Sequence, residues 1–284
     1  MVKKVAIQGI RGAFHEEAAV QFFNEQIDIV PALTFDELIQ SVIDNNSNLG
    51  IMAIENSISG TIHTNLELIR NSELSIIGET YIRIQQNFAI HPDAKLENIR
   101  KVKSHFMALN QCRKYFRQFP DIALVESKDT ALSMREIADE TLLDIGAIGS
   151  MTAIEHYGLQ LIDASIETNK NNYTRFVILS KKSENNTEIN KASLSIVLPH
   201  KAGSLSKVLS LISFYGFDLT KIESTPILGK PWSYRFYIDI KFNDKEIFDN
   251  IITSLKPLVE EIKVLGIFTD GMQSFNQIHM SYAN

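Results

Sequence analysis

Over its first 180 residues the chain alternates short apolar runs with stretches of helical period, and no other feature constrains the fold as strongly. Residues 4–8, 27–30 and 49–54 read as strands, separated by a glycine turn and helices at about 15–24 and 34–44. Thr34 is placed to cap the second of these helices, with Glu37 three residues on to complete a capping box. The theme returns as a strand near 102, a helix over 105–117, a strand over 122–125, a helix over 130–140 and a strand over 145–148. A helix over 151–157, stopped by Gly158, completes it. Strands that alternate with helices imply parallel or mixed sheets covered on both faces. The expected fold class is therefore α/β. Two lobes, about 1–80 and about 90–170, form one domain over 1–182, and a strand at 173–180 returns from the second lobe to the first.

The pattern then breaks. Residues 183–191, SENNTEINK, are almost devoid of apolar side chains and read as a linker. Residues 192–270 form a self-contained unit. It has a strand at 193–198, a helix at 203–215 ended by Gly216, and strands at 219–228 and 232–242 joined by a GKP turn. An amphipathic helix at 247–255 and a strand at 264–268 close it. The order βαββαβ is the ferredoxin-like plan. The tail, 271–284, carries no pattern.

Composition excludes several classes. The 284 residues carry a formal charge of −6 with no long run of Lys or Arg, so a nucleic-acid partner is not expected. No apolar run approaches a membrane span, and the one before Gln8 is too short for a signal peptide. One cysteine, Cys112, points to a reducing compartment, here the cytoplasm. Seven histidines without paired ligand spacing argue against a metal site, and no cofactor is expected.

In open α/β sheets, ligands bind beyond the carboxyl ends of the strands, where loops enter helix N-termini. Five such loops are rich in small or hydroxyl residues: IQGIRGAFHEE, AIENSISGTIHTN, VKSHFMALNQC, VESKDTALS and AIGSMTA. Ser and Thr at a helix start are usually caps, so each loop alone is weak evidence. Together they indicate a small anionic ligand held between the lobes by backbone N–H groups. Gly9 and Gly12 lack the rest of a dinucleotide fingerprint, and no GxSxG elbow occurs. The stretch 171–179, NNYTRFVIL, places Thr174 and Arg175 side by side where a buried strand begins. Strand alternation puts Thr174 on one face with Phe176 and Arg175 on the other with Val177.

These motifs together resemble the prephenate dehydratases. Asn172-Tyr173-Thr174-Arg175-Phe176 matches that family's N-x-T-R-F signature. Ile54-Glu55-Asn56-Ser57 with Gly60, Gly149-Ser150 and Tyr157-Gly158-Leu159 follow in the family's order. The resemblance implies two α/β lobes like those of periplasmic binding proteins, followed by a small-molecule-sensing ACT domain. It implies the monofunctional form, with no chorismate mutase segment ahead of the first strand. The implied substrate is prephenate, with Thr174 and Arg175 as catalytic groups. Asn172, Phe176, Glu55, Asn56, Ser57, Ser104, Ser127 and Thr130 are the implied substrate contacts. Phenylalanine is the implied effector, bound by His200, Gly203, Ser204, Leu205, Asp218, Glu223 and Ser224, in a homodimer or homotetramer. Arogenate dehydratase is the alternative enzyme, and a non-catalytic bilobed anion-binding protein with an amino-acid sensor is the alternative outside enzymes. The chain departs from the family at Ala13 and His15, where hydroxyls are usual, and at Phe106-Met107, where Pro-Gln is usual. His15 is expected either to replace a missing donor or to point to solvent. In the ACT segment, Ser204, Thr225 and Asp218 depart from the usual residues.

Overall fold

The computed structural model describes residues 2–181 and 188–276. The linker expected at 183–191 thus lies outside the described residues up to 187, as does the tail from 277 on. Its elements, in order, are β1 (Lys3–Gln8), α1 (Phe14–Phe23), β2 (Ile27–Ala32), α2 (Phe35–Ile43), β3 (Leu49–Asn56) and β4 (Gly60–Thr61). Next come α3 (His63–Asn71), β5 (Ser75–Arg83), β6 (Asn87–Ile90), β7 (Lys101–His105), α4 (Phe106–Phe116), β8 (Ala123–Ser127) and α5 (Thr130–Asp139). They are followed by β9 (Ile145–Gly149), α6 (Met151–Tyr157), β10 (Gln160–Asp163) and β11 (Tyr173–Ser180). The last six are β12 (Lys191–Val197), α7 (Ser204–Phe214), β13 (Asp218–Pro226), β14 (Tyr234–Lys241), α8 (Lys245–Leu255) and β15 (Glu261–Phe268).

The chain falls into two compact units that do not follow the linear boundary. One comprises residues up to Gly60 together with Tyr81–Phe176; the other comprises Thr61–Thr80 together with the chain from Val177 on.

In the first unit, β1 lies parallel to β2 and to β3, and β11 runs beside β3. The side chains of Leu49, Ile51, Met52, Ala53 and Ile54 are all buried, as a strand covered on both faces requires. The second lobe of this unit orders its strands β10-β6-β9-β7-β8, with β7 parallel to both neighbours and β6 antiparallel to β9 and β10. Local chemistry sets the ends of the helices. Thr34 accepts the amide of Glu37, whose carboxylate in turn accepts the amide of Leu33, one residue before the cap. Ser150 caps α6 through the amide of Ala153, and Gly158 ends that helix with φ 64°.

In the second unit, β12 to β15 with α7 and α8 form the expected βαββαβ arrangement, in spatial order β13-β14-β12-β15, and β5 pairs with β15 at Ile76. The two faces of this sheet differ. Leu194, Ile196, Ile238 and Ile240 turn toward Val208 and Ile212 of α7 and Phe248, Ile251 and Leu255 of α8. The alternate residues, among them Ser193, Ser195, Arg235 and Asp239, turn the other way, where the segment 61–80 covers them. Lys191 is part of β12, where its ammonium group is buried against Glu79 at 2.8 Å. The polar stretch expected to be a linker therefore ends in a strand at that residue.

Candidate active site

Three peptide segments of the first unit converge at the start of β11. Asn56, at the end of β3, is fixed first: its Oδ1 accepts the amides of Ile58 and Ser59 at 3.0 and 2.9 Å. That assignment turns its Nδ2 toward β11, where it donates to Asn172 Oδ1 at 2.8 Å, to the Tyr173 carbonyl at 3.2 Å and to Thr174 Oγ1 at 2.9 Å. Asn172 Nδ2 donates in turn to Gln111 Oε1 of α4 at 3.0 Å. Asn172 and Thr174 share a face of the strand, which lets one amide hold both. Ser57 closes the turn, donating to the Asn171 carbonyl and accepting the amide of Tyr173, each at 2.9 Å.

Thr174 is 7% exposed, and its oxygen receives an N–H from Asn56. The hydroxyl's own hydrogen points away from that amide, which leaves Thr174 able to donate to another group.

Arg175 lies on the opposite face, buried, with Nη1 3.7 Å from Glu55 Oε2. Glu55 and Asn56 alternate on β3 as Thr174 and Arg175 alternate on β11, so the two strands match face for face.

Beneath Thr174, the His15 ring packs 5.0 Å from Phe176 and 5.6 Å from Phe35, and Nε2 accepts the Ala53 amide at 3.4 Å. His15 does not face solvent: burial pushes its imidazole down to about 4, so it is neutral in the folded chain. Phe176, an implied substrate contact, is fully buried against that ring. Ser104, another implied contact, is buried, and its hydroxyl donates to the Ile148 carbonyl at 2.7 Å and ties β7 to β9.

The first loop closes against the second lobe. A Cβ on Gly12 would come within 2.7 Å of Ala153, so only glycine allows the loop this near to α6. Ser150 donates to the Gly12 carbonyl, Tyr157 to the Arg11 carbonyl and Thr152 to Glu17, whose carboxyl burial pushes up. Ser127 and Thr130 flank the start of α5, both half-buried, where Asp129 is the cap. Among the described residues no three His, Cys, Asp or Glu side chains converge to hold a metal ion.

Gln111 escaped the sequence analysis because a lone amide on an amphipathic helix looks like solvated surface. Only the Asn172 contact reveals its place. In the second unit, His200, Ser204 and Leu205 line a cavity of about 310 Å³ with Trp232, Tyr234 and Phe236, the last three not foreseen. Gly203 adopts φ 83° at the start of α7, a conformation that favours glycine. Asp218, Glu223 and Ser224 do not line this cavity; they lie on β13, and Glu223 accepts a hydrogen bond from Thr61 at 2.9 Å.

Comparison with known proteins agrees with this architecture. A bifunctional chorismate mutase/prephenate dehydratase of Aquifex aeolicus (strain VF5) is 32% identical over 273 residues, covering 95% of this chain and 74% of that one. Among solved structures, GqqA, described as a novel type of quorum quenching acylase, aligns with a TM-score of 0.84 at 24% identity over 95% of this chain and 100% of that one. The prephenate dehydratase of Arthrobacter aurescens, in complex with L-Phe, aligns with a TM-score of 0.83 at 23% identity over 99% of this chain and 98% of that one. Both structures share the fold. The profile of the prephenate dehydratases matches residues 5–184, the span that contains Asn56, Gln111, Asn172 and Thr174. With that match and the Aquifex relative, the chain belongs to the prephenate dehydratase family.

Proposed function

We propose that this chain converts prephenate to phenylpyruvate, with Thr174 as the group that assists departure of the ring hydroxyl. In this reaction the C–O bond to the hydroxyl and the C–C bond to the ring carboxylate break. The electron pair of the latter enters the ring as it becomes aromatic, and water and CO2 leave. Aromatisation supplies the driving force, so the protein's task is to place a donor at the leaving oxygen and to hold the dianion. A threonine hydroxyl is a weak acid in water, but a fixed donor in a sheltered site stabilises charge that develops on the departing oxygen. The observation that carries this reading is the Asn56 amide, which donates to Thr174 Oγ1 and so leaves the hydroxyl's hydrogen available to donate elsewhere. Arg175, fixed by Glu55, supplies local positive charge, and its planar fork suits a carboxylate.

Phenylalanine is the proposed effector, held at the cavity beside Gly203 and at β13, with the C-terminal unit acting as an ACT module in a homodimer or homotetramer. An apolar and aromatic lining with a helix N-terminus at its edge suits an aromatic amino acid.

The test compares wild type with Thr174→Ala and Thr174→Ser, offered prephenate and arogenate separately. Turnover of prephenate should fall by at least about 100-fold in the alanine variant and recover partly in the serine variant. Wild-type turnover in Thr174→Ala would remove the assignment, and preference for arogenate would reassign the substrate.

A further inference from the structure

The orientation of each side-chain amide behind Thr174 follows from two backbone N–H groups that cannot turn over. Ile58 and Ser59 donate to Asn56 Oδ1, which commits Asn56 Nδ2 to Asn172 Oδ1 and Thr174 Oγ1. With its oxygen taken, Asn172 presents Nδ2, and Gln111 must meet it with Oε1. A second donor reaches that same oxygen: Gln86 Nε2, at 3.4 Å.

Gln86 stands just before β6 and is 4% exposed. The chain between β10 and β11 clamps its backbone on both sides. Its amide donates to Glu167 Oε2 at 2.9 Å, and its carbonyl accepts the Ile166 amide at 2.7 Å. Gln111 is held by the same stretch, since its carbonyl accepts both the amide and the hydroxyl of Thr168. The two side chains therefore meet from fixed backbones. Yet Gln86 Oε1 is buried and, among the described residues, has no hydrogen-bond partner. An unmet buried oxygen lowers stability, and an apolar side chain of similar length would avoid that loss. Packing alone does not account for an amide here, whereas the N–H toward Gln111 does.

We infer that Gln86 is a positioning residue for the Thr174 reaction: it holds the Gln111 oxygen where Asn172 meets it, and so steadies the amide chain that ends on Thr174. This rests on the dehydratase reading given above. All of these groups belong to the first unit. An oxygen held by two donors turns less freely than one held by a single donor. Gln86 acts through Gln111 and Asn172 and is not itself a catalytic group.

The experiment measures kcat, KM and thermal unfolding for wild type, Gln86→Met and Gln86→Glu, with prephenate and with arogenate, from mildly acidic to mildly basic pH. Gln86→Met keeps the length and deletes both polar ends. It should unfold at or above the wild-type temperature, because the unmet oxygen is gone, while kcat falls about tenfold and KM stays within about twofold. Gln86→Glu tests the direction of the bond. Protonated, it donates an O–H to Gln111 Oε1 and should work as glutamine does; ionised, it presents only oxygens and turns the Gln111 amide around. Burial and the adjacent Glu167 carboxylate raise the pKa of the new carboxyl, and Arg83 and Lys170, 3.6 and 3.7 Å from Glu167, oppose that rise. The Cys112 thiol, kept neutral by burial, adds no charge. The kcat of Gln86→Glu relative to wild type should therefore fall as pH rises. Wild-type kcat in Gln86→Met overturns the positioning role and leaves the dehydratase reading intact. Equal loss in Gln86→Met and Gln86→Glu at every pH marks a packing role and overturns it as well. Wild type that turns over neither substrate overturns the dehydratase reading, and the positioning role with it.

Discussion

On the face of β11 that carries Thr174 the hydrogen-bonded polar groups are neutral: Gln111, Asn172, Asn56 and Thr174 pass hydrogen bonds from amide to amide to hydroxyl, while the charged Arg175–Glu55 pair lies on the other face. On the polar face of the C-terminal sheet they are charged. Lys191 pairs with Glu79, Arg70 and Arg235 both meet Glu261, Lys241 meets Asp270, and Lys263 donates to the carbonyls of Arg70 and Ser72. Neutral amides give direction with little dependence on pH or salt, which suits a group whose proton must point one way. Charges attract over longer distances and tolerate looser geometry, and their balance changes when an ion arrives. The first kind of network fits a catalytic site. The second ties the segment 61–80 to the sheet it covers.

The largest expected effect tests the charged network. Lys191→Met leaves the Glu79 carboxylate buried without its cation, and stability should fall by about 4 kcal/mol. Thermal unfolding measures this. Adding Glu79→Leu to the same chain should restore most of the loss, because an apolar pair no longer has to be desolvated as ions. The folded fraction of either variant should turn over prephenate at the wild-type rate. If the double variant is as unstable as the single one, the ion pair itself is the source of stability and the contrast between the two networks weakens.

This charged network also marks where the sequence was hard to read. Strands such as β3 and helices such as α6 were legible because apolar residues recur at the right period and the caps stand at their ends. β5 and α3 were not. β5 buries Glu79 and Thr80 in mid-strand, which interrupts the apolar alternation, and α3 buries only Asn65, Leu66 and Ile69. Ion pairs with residues more than a hundred positions away stabilise these elements, and no local pattern carries that information. The site divides in the same way. Asn172 and Thr174 stand in one compact motif and Asn56 in another, whereas Gln111 and the packing of His15 depend on contacts across the fold.

Acid should separate the two regions next. His15, neutral in the folded chain with a value of about 4, would titrate near 6.5 when unfolded. The unfolded chain therefore binds more protons between those values. The His15 contribution is complete above pH 6.5 and is lost as pH falls toward 4, a change of up to about 3 kcal/mol. The Glu261 carboxyl is held below its ordinary value by the Arg70 hydrogen bond, so its contribution persists above the ordinary carboxylate range and is lost only as pH falls below it. Hydrogen exchange at pH 7 and pH 5, corrected for intrinsic rates, should show α1 losing protection relative to β15. His15→Gln should abolish that difference. Equal loss in both segments would mean that the two units unfold as one.

The smallest change in stability should accompany a large change in rate. Asn172→Leu removes one acceptor for Asn56 and one donor to Gln111, with an expected cost of about 2 kcal/mol. Asn56 keeps its bonds to Ile58 and Ser59 but loses the partner that sets the angle of its Nδ2 toward Thr174. A small misplacement of a reacting group costs about 100-fold in rate, so kcat should fall far more than the loss of stability alone implies. Lys191→Met should show the reverse, a larger loss of stability with kcat unchanged. A fall in kcat for Asn172→Leu no greater than twofold would mean that Thr174 does not need the amide chain to aim its proton, and the functional contrast between neutral and charged networks would have to be abandoned.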